Sequence, residues 1–387
     1  MTIEPIHDIS AASQLLLEGR LVVFPTETVY GLGGRVDSDE TIKAIFSAKE
    51  RPVDNPLIVH VASVEMARRY AVIGPVEEGL FNIFSPGPLT LVCPLREGTV
   101  STRVTGGGAT VAVRIPDSEI ALDVIRRVNC GLAAPSANRS GRPSPTDAEH
   151  ACVEMNGRVS AVLDGGRCRV GIESTVSYWD GEKVIVLRPG AITERELNEV
   201  AAGLASQAGN QLSRHSSQLN RSAEDTQLNR SVEDTDPAQS PGTRYRHYAP
   251  RVPVRLFTDI VEIVDGVTND REAGIACICS EGTAARLDST GAVFKTGDRA
   301  APGTESNLRT GELGGSTGFT VRMRTVNRET NATIVTFPSY EVLSANLYRW
   351  LWQLEDAVSA IWIELPPDRP EFAGIRDRLW RAAHLED

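Results

Sequence analysis

Four cationic residues stand where predicted elements end in the N-terminal half of the sequence. Lys49 and Arg51 lie at the end of a predicted helix, and Arg114 and Arg188 close two predicted strands. Ligands of open α/β sheets bind where the strands leave the sheet and enter loops. Cations gathered there could clamp a triphosphate and counter the negative charge that develops on it during a reaction.

Uncharged polar residues accompany these cations. Thr28, Asn55, Ser136 and Asn138 carry hydroxyl and amide groups that could orient a ligand, and His60 lies within an apolar run. Structural roles stay open for the same residue types. A cation in the last turn of a helix complements the helix dipole, and a strand-end arginine can form an ordinary ion pair. A histidine in an apolar run can be a satisfied core residue.

The standard motifs for nucleotides, nucleophilic catalysis and zinc are missing from the sequence. It contains neither G-x-x-x-x-G-K-[ST] nor G-x-G-x-x-G. Residues 314–318 match G-x-S-x-G, but they follow a loop and precede a strand-like run, whereas a nucleophile elbow needs a strand before it and a helix after it. Because paired Cys/His spacing is also missing, no metal ligands of the protein are predicted.

The composition limits the class of protein. The chain has 387 residues, 41% apolar and 24% charged, which excludes a fully disordered or fibrous protein. With 40 Lys and Arg against 51 Asp and Glu, the formal net charge is −11, so a general nucleic-acid binder is not expected. The sequence shows no signal peptide, no long apolar span and no disulfide framework, and it therefore predicts a cytoplasmic protein without a membrane.

Apolar periodicity divides the chain into an α/β domain at 1–205, a linker at 206–250 and a smaller α/β domain at 251–387. Strands are predicted at 20–26, 56–61, 89–95, 110–116, 132–137, 160–164, 174–179 and 183–188, and then at 252–257, 274–280, 332–337 and 360–365. Helices are predicted near 8–18, 38–49, 63–71, 117–128, 146–156, 193–205 and 339–355. A capping-box pattern from Thr146 to Glu149 marks the start of one of them.

The linker has two parts. A near-repeat, QLNRSAEDT followed by QLNRSVEDT, has few large apolar residues and predicts a mobile segment. The segment at 240–250, SPGTRYRHYAP, is basic and aromatic instead. Two interpretations of it are equally open, a tether between domains and a lid that closes over a nucleotide. An extended loop is also predicted at 298–318.

Several segments occur in a fixed order along the chain, namely FPTETVYGLG, KERP, DNPLIVHV, SPGPLTLV, VAVRIP, APSANRSGRPSPT, GIESTV, VLRPGAIT and SPGTRYRHYAP. Through them the chain resembles the YrdC family in its two-domain form, the threonylcarbamoyladenylate synthases. The C-terminal half matches more loosely, through NLYRWLWQLEDA and RDRLWRAA. The resemblance implies a twisted mixed-sheet α/β domain with a positively charged cavity, and a smaller Rossmann-like α/β domain.

The resemblance also implies a reaction, in which L-threonine, bicarbonate and ATP give threonylcarbamoyl-AMP and pyrophosphate. Such an enzyme is a nucleotidyltransferase, works with Mg²⁺ on the phosphates, and passes its product to a transferase that modifies adenosine 37 of tRNA. Weak binding of tRNA or double-stranded RNA is a further partner prediction. The carbamate formed from threonine attacks the α-phosphorus, so the protein has to position groups and neutralise charge and needs no nucleophile.

The resemblance assigns roles to individual residues. For L-threonine they are Thr28, His60, Arg114, Ala134 and Ser174. For ATP they are Arg51, Asn55, Thr110, Ser136, Asn138, Ser144, Arg188 and Tyr248. Lys49 and Arg51 are predicted to act on the phosphates as catalytic residues. The sequence departs from the family pattern at Thr243, which replaces a methionine, and at 372–374, where FAG replaces a glycine-rich turn.

Two other functions were compared with this one. An RNA-binding protein could use the same basic residues without catalysis, but an aromatic content of 5% and the acidic net charge do not favour it. A carbamoyl-transfer domain of hydrogenase maturation would resemble the N-terminal half. Neither the zinc-finger and acylphosphatase-like segments of such proteins nor their layout is found in this sequence.

Overall fold

The apolar runs of the N-terminal half form a nine-stranded sheet in the computed structural model, which describes residues 3–216, 248–263, 274–290, 322–327 and 332–383. The strands are β1 (Val22–Phe24), β2 (Gly31–Arg35), β3 (Ile58–His60), β4 (Leu89–Pro94), β5 (Thr110–Arg114), β6 (Leu132–Ala133), β7 (Ala161–Val162), β8 (Thr175–Trp179) and β9 (Val184–Arg188). The helices are α1 (Ile9–Leu17), α2 (Asp39–Lys49), α3 (Val64–Ala67), α4 (Pro75–Phe84), α5 (Glu119–Val128), α6 (Ala148–Met155) and α7 (Glu194–Ser216).

The sheet is mixed, with the strand order β7-β1-β2-β6-β3-β5-β4-β8-β9. Strands β3 and β5 are parallel neighbours at its centre, and β4 pairs with β5 in the antiparallel direction. This register sets His60 beside Arg114, and Arg114 beside Thr90. Three polar side chains of the central strands therefore occupy one row at the point where β3 and β5 end.

Strand β2 is a correction to the sequence prediction, which has no strand between 26 and 56. Residues 31–35, GLGGR, have little β-propensity, yet they pair with β1 so that Phe24 lies opposite Gly31. A Cβ atom on Gly33 would lie only 2.5 Å from the Phe24 ring. The glycines are therefore required because the Phe24 ring packs directly against the strand.

The predicted helices need four further corrections. Helix α4 was missed, although Pro75 at its first position suits a helix start and Val76, Leu80 and Phe81 are buried. Helix α6 is capped by Asp147 and not by Thr146, since Asp147 accepts the His150 backbone N–H. Helix α3 is only four residues long, and α7 continues to Ser216, beyond the predicted end at 205.

The other predicted strands and helices of the N-terminal half are confirmed, with ends that differ by a few residues. The near-repeat, most of the 240–250 segment and the loop at 298–318 lie outside the described residues. The predicted domain limits stay a prediction.

The C-terminal half forms a second sheet, in the order β10-β14-β11-β13-β12. The strands are β10 (Val254–Phe257), β11 (Ile275–Ser280), β12 (Arg322–Asn327), β13 (Ala332–Phe337) and β14 (Ala360–Glu364), and the helices are α8 (Glu281–Thr290), α9 (Tyr340–Leu354) and α10 (Ala373–Ala383). Four strands are parallel and β12 is antiparallel. The second α/β unit is confirmed in this form, while its Rossmann-like character stays a prediction.

Helices α9 and α10 pack against the N-terminal half. The helix predicted near 339–355 is confirmed as α9, and its residues Leu343, Leu347, Leu351 and Leu354 are all buried. Their cluster also contains Val29, Ile172 and Tyr248, which lie outside the C-terminal sheet. One hydrophobic core therefore joins the two halves.

Glycine permits the closest approach between the halves. A Cβ atom on Gly374, the second residue of α10, would lie 2.5 Å from the Gly190 carbonyl oxygen. A Cβ atom on Gly190 would lie 2.3 Å from the Thr175 backbone nitrogen. Helix α10 thus touches the backbone that follows β9.

No helix in the described parts of the chain is both long and apolar enough to cross a bilayer.

Candidate active site

A cavity that opens to solvent lies where the central strands end, and its empty space, with the opening included, is about 620 Å³. Most of the predicted site residues line it, namely Lys49, Arg51, His60, Arg114, Ala134, Ser136, Asn138, Ser174, Arg188 and Tyr248. They come from α2, from the ends of β3, β5 and β9, and from the loops that follow β6 and precede β8. The fold therefore brings together residues that are far apart in the sequence.

Four predicted site residues are not part of the cavity lining. Thr28 is buried and its hydroxyl lies 2.9 Å from the Thr26 hydroxyl, whereas Thr110 begins β5 and is half-buried. Asn55 and Ser144 are buried behind lining residues, to which they are hydrogen-bonded. Asn55 and Ser144 therefore support the cavity wall.

Arg51 is anchored by the loop that leads into β3. Its guanidinium donates to the Asn55 side-chain oxygen at 2.5 Å and to the Pro56 carbonyl at 2.9 Å. Both of these acceptors are uncharged. These two hydrogen bonds fix the direction of the guanidinium, as the binding of an anion requires.

Lys49 fixes the loop that follows β6. Its ammonium is buried, donates to the Asn138 carbonyl at 2.6 Å and also contacts the Ser136 carbonyl. Burial, followed by the neighbouring Arg51 charge, holds the pKa of Lys49 well below its ordinary value. An anion in the cavity would oppose both effects and favour the charged ammonium.

The loop held by Lys49 presents polar atoms to the cavity. The Asn138 side-chain nitrogen donates to the Arg139 and Arg142 carbonyls. Among the described residues, however, the buried Asn138 Oδ1 and Ser140 Oγ have no hydrogen-bond partner. Since buried polar groups are nearly always paired, these two atoms are available to a ligand. Sequence reasoning missed Ser140.

His60 is a neutral side chain in this site. Burial and then the Arg114 charge lower its pKa to about 3. Its Nδ1 lies 3.3 Å from the Ile58 carbonyl, an oxygen that can only accept, so the contact favours the tautomer with hydrogen on Nδ1. In that tautomer Nε2 is an acceptor.

Arg114 has an acidic partner that the sequence prediction did not include. Its Nη2 lies 2.8 Å from Oε1 of Glu27, and both side chains are buried. The pair is close but lacks a well-aligned hydrogen bond, since both carboxylate oxygens and Nη2 have no such partner in the described structure. Glu27 thus compensates the Arg114 charge, and the Arg114 guanidinium keeps N–H groups that can donate to a ligand.

Arg188 and Ser174 form a buried pair beside the central strands. Arg188 Nη2 donates to the Ser174 carbonyl at 2.9 Å, and the Ser174 hydroxyl lies 2.8 Å from that of Thr90. Burial lowers the pKa of Arg188 from its ordinary value. The pair therefore joins the end of β9 to the row of polar side chains on β4 and β5.

Glu173 is the second carboxylate that sequence reasoning missed. It lines the cavity and accepts the Ser144 hydroxyl at 2.6 Å, the Tyr348 hydroxyl at 2.9 Å and Arg378 Nε at 2.7 Å. Burial would raise its pKa, but the Arg378 and Arg188 charges and these hydrogen bonds lower it to about 2. Two of its partners come from the C-terminal helices α9 and α10.

Tyr248 is the described part of the predicted lid that reaches the cavity. The side chain is buried, and its ring packs 5.3 Å from the ring of Tyr348 with Arg378 5.5 Å from its centroid. Its φ of 72° is uncommon for a bulky residue, and such strained backbone often accompanies function. Burial raises its pKa to about 12, so the hydroxyl stays protonated at neutral pH.

A signal for the two missed acids was present in the sequence. Glu27 and Glu173 each lie in a run of apolar and hydroxyl residues, PTETV and GIESTV, where a charged residue needs a partner if it is buried. The sequence prediction considered cations and uncharged polar residues as ligand-binding groups, and it therefore did not include Glu27 and Glu173. Arg378 gave no such signal, because its helix carries several charges and looked like a solvated one.

The chain is similar in sequence to known proteins over most of its length. A family model described as "Telomere recombination" matches residues 14–190, and one described as "Threonylcarbamoyl-AMP synthase, C-terminal domain" matches residues 192–384. Threonylcarbamoyl-AMP synthase of Bacillus subtilis is 38% identical over 269 residues, which are 69% of this chain and 71% of that protein. The synthase of Pyrococcus abyssi is 42% identical over 247 residues, 64% of this chain and 66% of that protein.

The fold of this chain is similar to that of a solved structure over nearly its whole length. The crystal structure of P. abyssi Sua5 complexed with L-threonine aligns with a TM-score of 0.73 and 29% identity, and it covers 99% of this chain and 98% of that one. The resemblance indicated by the ordered N-terminal segments is thereby confirmed and extended to the C-terminal half. The chain belongs to the threonylcarbamoyl-AMP synthase family.

Proposed function

We propose that this protein condenses L-threonine, bicarbonate and ATP into threonylcarbamoyl-AMP and pyrophosphate. The observation that carries the proposal is the convergence of Lys49, Arg51, Arg114 and Arg188 on one cavity in a chain of this family. Such a site binds two anionic substrates and lowers the barrier by positioning them and by stabilising charge.

The threonine end of the site is the row formed by His60, Arg114 and Ser174. Arg114 is held by Glu27 and is the natural partner for the amino-acid carboxylate. With a pKa of about 3, His60 is too weak a base to deprotonate the threonine ammonium near neutral pH. We assign it a hydrogen bond to the substrate. Ala134 shapes the same wall, and Thr28 supports it from behind.

The nucleotide end consists of the remaining cations and the loop after β6. Arg51, aimed by Asn55, and Arg188 face the phosphates, and the phosphates favour the charged form of Lys49 when they bind. Ser136, Asn138 and Ser140 supply polar contacts along the loop. Thr110 and Ser144 do not line the cavity. For either residue to bind ATP, the cavity wall would have to move.

The proposed chemistry uses no protein nucleophile. The free amine of threonine attacks the carbon of bicarbonate or CO₂; from bicarbonate, water leaves and a carbamate forms. A carbamate oxygen then attacks the α-phosphorus, and the bond to the β-phosphate breaks so that pyrophosphate leaves with both electrons. The cations stabilise the negative charge that shifts onto pyrophosphate.

Magnesium enters this proposal bound to the phosphates of ATP. Within the described cavity lining the one carboxylate is Glu173, whose oxygens already accept Ser144, Tyr348 and Arg378. Among the described residues no cluster of three or more His, Cys, Asp or Glu could hold a metal. The residues thus fit a metal that the substrate carries, and Mg²⁺ would supply further neutralisation of the phosphate charge.

The proposal places the enzyme among the nucleotidyltransferases and upstream of a transferase that consumes a labile carbamoyl-adenylate. A cytoplasmic location belongs to the same proposal, because all six cysteines are buried and free, as a reducing compartment allows. Binding of tRNA or double-stranded RNA stays a prediction of the sequence.

Pyrophosphate release tests the function. The full chain with Mg²⁺, ATP, L-threonine and bicarbonate should release pyrophosphate, and omission of threonine should abolish the release. Equal release with and without threonine would contradict the proposal, as would the absence of release from a folded protein that binds both substrates.

A further inference from the structure

The buried residues Glu173, Tyr348 and Arg378 form one cluster that joins the C-terminal helices to the cavity. Arg378 is fully buried, which is rare for an arginine unless it is paired. Its Nε donates to the Glu173 carboxylate at 2.7 Å, and the Tyr348 hydroxyl donates to the same oxygen at 2.9 Å. The carboxylate itself lines the cavity, one residue before Ser174.

Arg378 also holds the backbone on both sides of the Arg188–Ser174 pair. Its Nη1 donates to the carbonyl of Pro189, which follows Arg188, at 2.9 Å. Its Nη2 donates to the carbonyl of Glu173, which precedes Ser174, at 3.3 Å. A single guanidinium from α10 therefore fixes two cavity segments that belong to different strands, β8 and β9.

The charge of Glu173 is unfavourable for the proposed substrates. A carboxylate in the lining of a cavity that receives a triphosphate would repel it, and the repulsion is strong because the site is buried. Arg188, the nearest cation of the cavity, already lowers the pKa of Glu173, as Arg378 does. Without Arg378, Arg188 would have to compensate the charge of Glu173 as well as the charge of the phosphates.

On this basis we propose that Arg378 is a positioning residue for ATP. It neutralises Glu173 and, through Glu173 and Pro189, holds Ser174 and Arg188 in the geometry that receives the nucleotide. The C-terminal half of the chain thus completes the binding site. This inference rests on the proposed function, since it takes ATP as the ligand.

The Glu173–Arg378 pair could act in two ways, by holding the fold or by compensating the charge of Glu173, and the two roles predict different effects of substitution. If the pair only holds the fold, removal of either partner should weaken ATP binding alike. If Arg378 compensates Glu173, the two substitutions should differ. Arg378→Gln leaves the carboxylate in the site, whereas Glu173→Gln removes it and leaves Arg378 bonded to Asp377 and to the Pro189 carbonyl.

The experiment measures equilibrium binding of MgATP to the full chain at pH 8 by calorimetry. We expect R378Q to raise Kd at least about tenfold, because a buried negative charge then faces the phosphates. E173Q should stay within about threefold of the wild type, and the double variant E173Q/R378Q should bind ATP more tightly than R378Q because it lacks the buried negative charge. The matched control is R381Q, on the same helix, which removes a 3.0 Å pair with Asp377 and should bind normally.

The outcomes separate the two proposals. Unchanged binding in R378Q, or equal losses in R378Q and E173Q, would overturn the inference while the proposed function stands. If R378Q does not fold, the double variant still decides, because it buries neither charge and must bind ATP if Glu173 is the obstacle. A folded wild-type protein that neither binds MgATP nor releases pyrophosphate would overturn the proposed function itself.

Discussion

Glu27 and Glu173 each hold an arginine at the edge of the cavity. Glu27 lies 2.8 Å from Arg114, and Glu173 lies 2.7 Å from Arg378. Buried charges need partners, so the carboxylates explain how guanidinium groups can be kept inside the protein in a fixed direction. At the scale of residues, the site consists of cations that bind substrate and acids that position them.

Arg51 should contribute to ATP affinity and little to the fold, because it is partly exposed and lines the cavity. A hydrogen bond to a charged group is worth about 1.5–3 kcal/mol, so Arg51→Ala should lower kcat/KM for ATP by roughly 10- to 100-fold. Steady-state pyrophosphate release checks this. Arg35→Ala, which removes a surface pair with Asp37, is the control; equal activity of the two variants would contradict the assignment.

His60 should make the protein less stable in acid. Its pKa of about 3 in the folded state lies below the value near 6.5 expected for the unfolded chain, so the unfolded state binds more protons between these values. Stability is therefore complete above about pH 6.5 and falls as the pH decreases toward 3. Between pH 7 and pH 5 this costs about 2 kcal/mol of the free energy of unfolding.

His60→Gln should remove that part of the pH dependence. Denaturant titrations at pH 7 and pH 5 would show a difference about 2 kcal/mol smaller than in the wild type. His7→Gln, at an exposed position, is the control. A pH dependence in H60Q that equals the wild type would show that the imidazole is not held neutral by burial.

Much of the residue-scale site could be predicted from the sequence. Lys49 and Arg51 stand at the end of a helix and Arg114 and Arg188 at the ends of strands, and ligands of α/β sheets bind where strands enter loops, so these four cations could be predicted. The contact of Glu173 with Arg378 was not, because 205 residues separate the two partners and local patterns do not encode which distant helix docks on a strand.

At the scale of elements, most strands were predictable from their apolar runs, whereas β2 and β12 were not. Strand β2 is rich in glycine, and tertiary packing of the Phe24 ring decides its conformation against propensity. Helix α6 shows the same limit for caps, since Thr146 and Asp147 are both good capping residues and only the geometry identifies Asp147.

Helix α10 should lose its docking if Gly374 gains a side chain. The Cβ atom of Gly374→Ala would lie 2.5 Å from the Gly190 carbonyl oxygen, a distance that forces the backbone of one element to move. We expect a lower melting temperature and weaker ATP binding, because α10 carries Arg378.

Gly282→Ala is the matched control. Gly282 is also the second residue of its helix, α8, and its Cβ atom would meet no atom within 4 Å. The loss of backbone freedom in the unfolded state makes this change neutral or stabilising, by up to about 1 kcal/mol. Thermal unfolding compares the two variants. Equal melting temperatures would show that the close contact of α10 is not needed.

At the scale of the whole molecule, the two halves share one core and one site. Val29, Ile172 and Tyr248 pack with the C-terminal helices, and Tyr348 and Arg378 reach Glu173. A two-domain layout could be predicted from composition, but this junction could not, since it depends on shape at Gly171, Gly190 and Gly374. The C-terminal half therefore supports the cavity wall from outside, through Glu173.

The overall acidity of the chain agrees with this arrangement. A net charge of −11 coexists with a cavity whose described lining has four basic side chains and one carboxylate, and Arg378 compensates that carboxylate. Positive charge is concentrated where anionic substrates are proposed to bind. A small set of aligned cations is sufficient for a triphosphate and does not require a basic protein.

The most direct test of the whole account uses labelled bicarbonate. The full chain is incubated with Mg²⁺, ATP, L-threonine and ¹³C-bicarbonate, and the nucleotide products are analysed by mass spectrometry. The account predicts threonylcarbamoyl-AMP that is one mass unit heavier than the product from unlabelled bicarbonate, formed in equal amount with pyrophosphate. Pyrophosphate release without incorporation of the label into a threonine-containing nucleotide would contradict it.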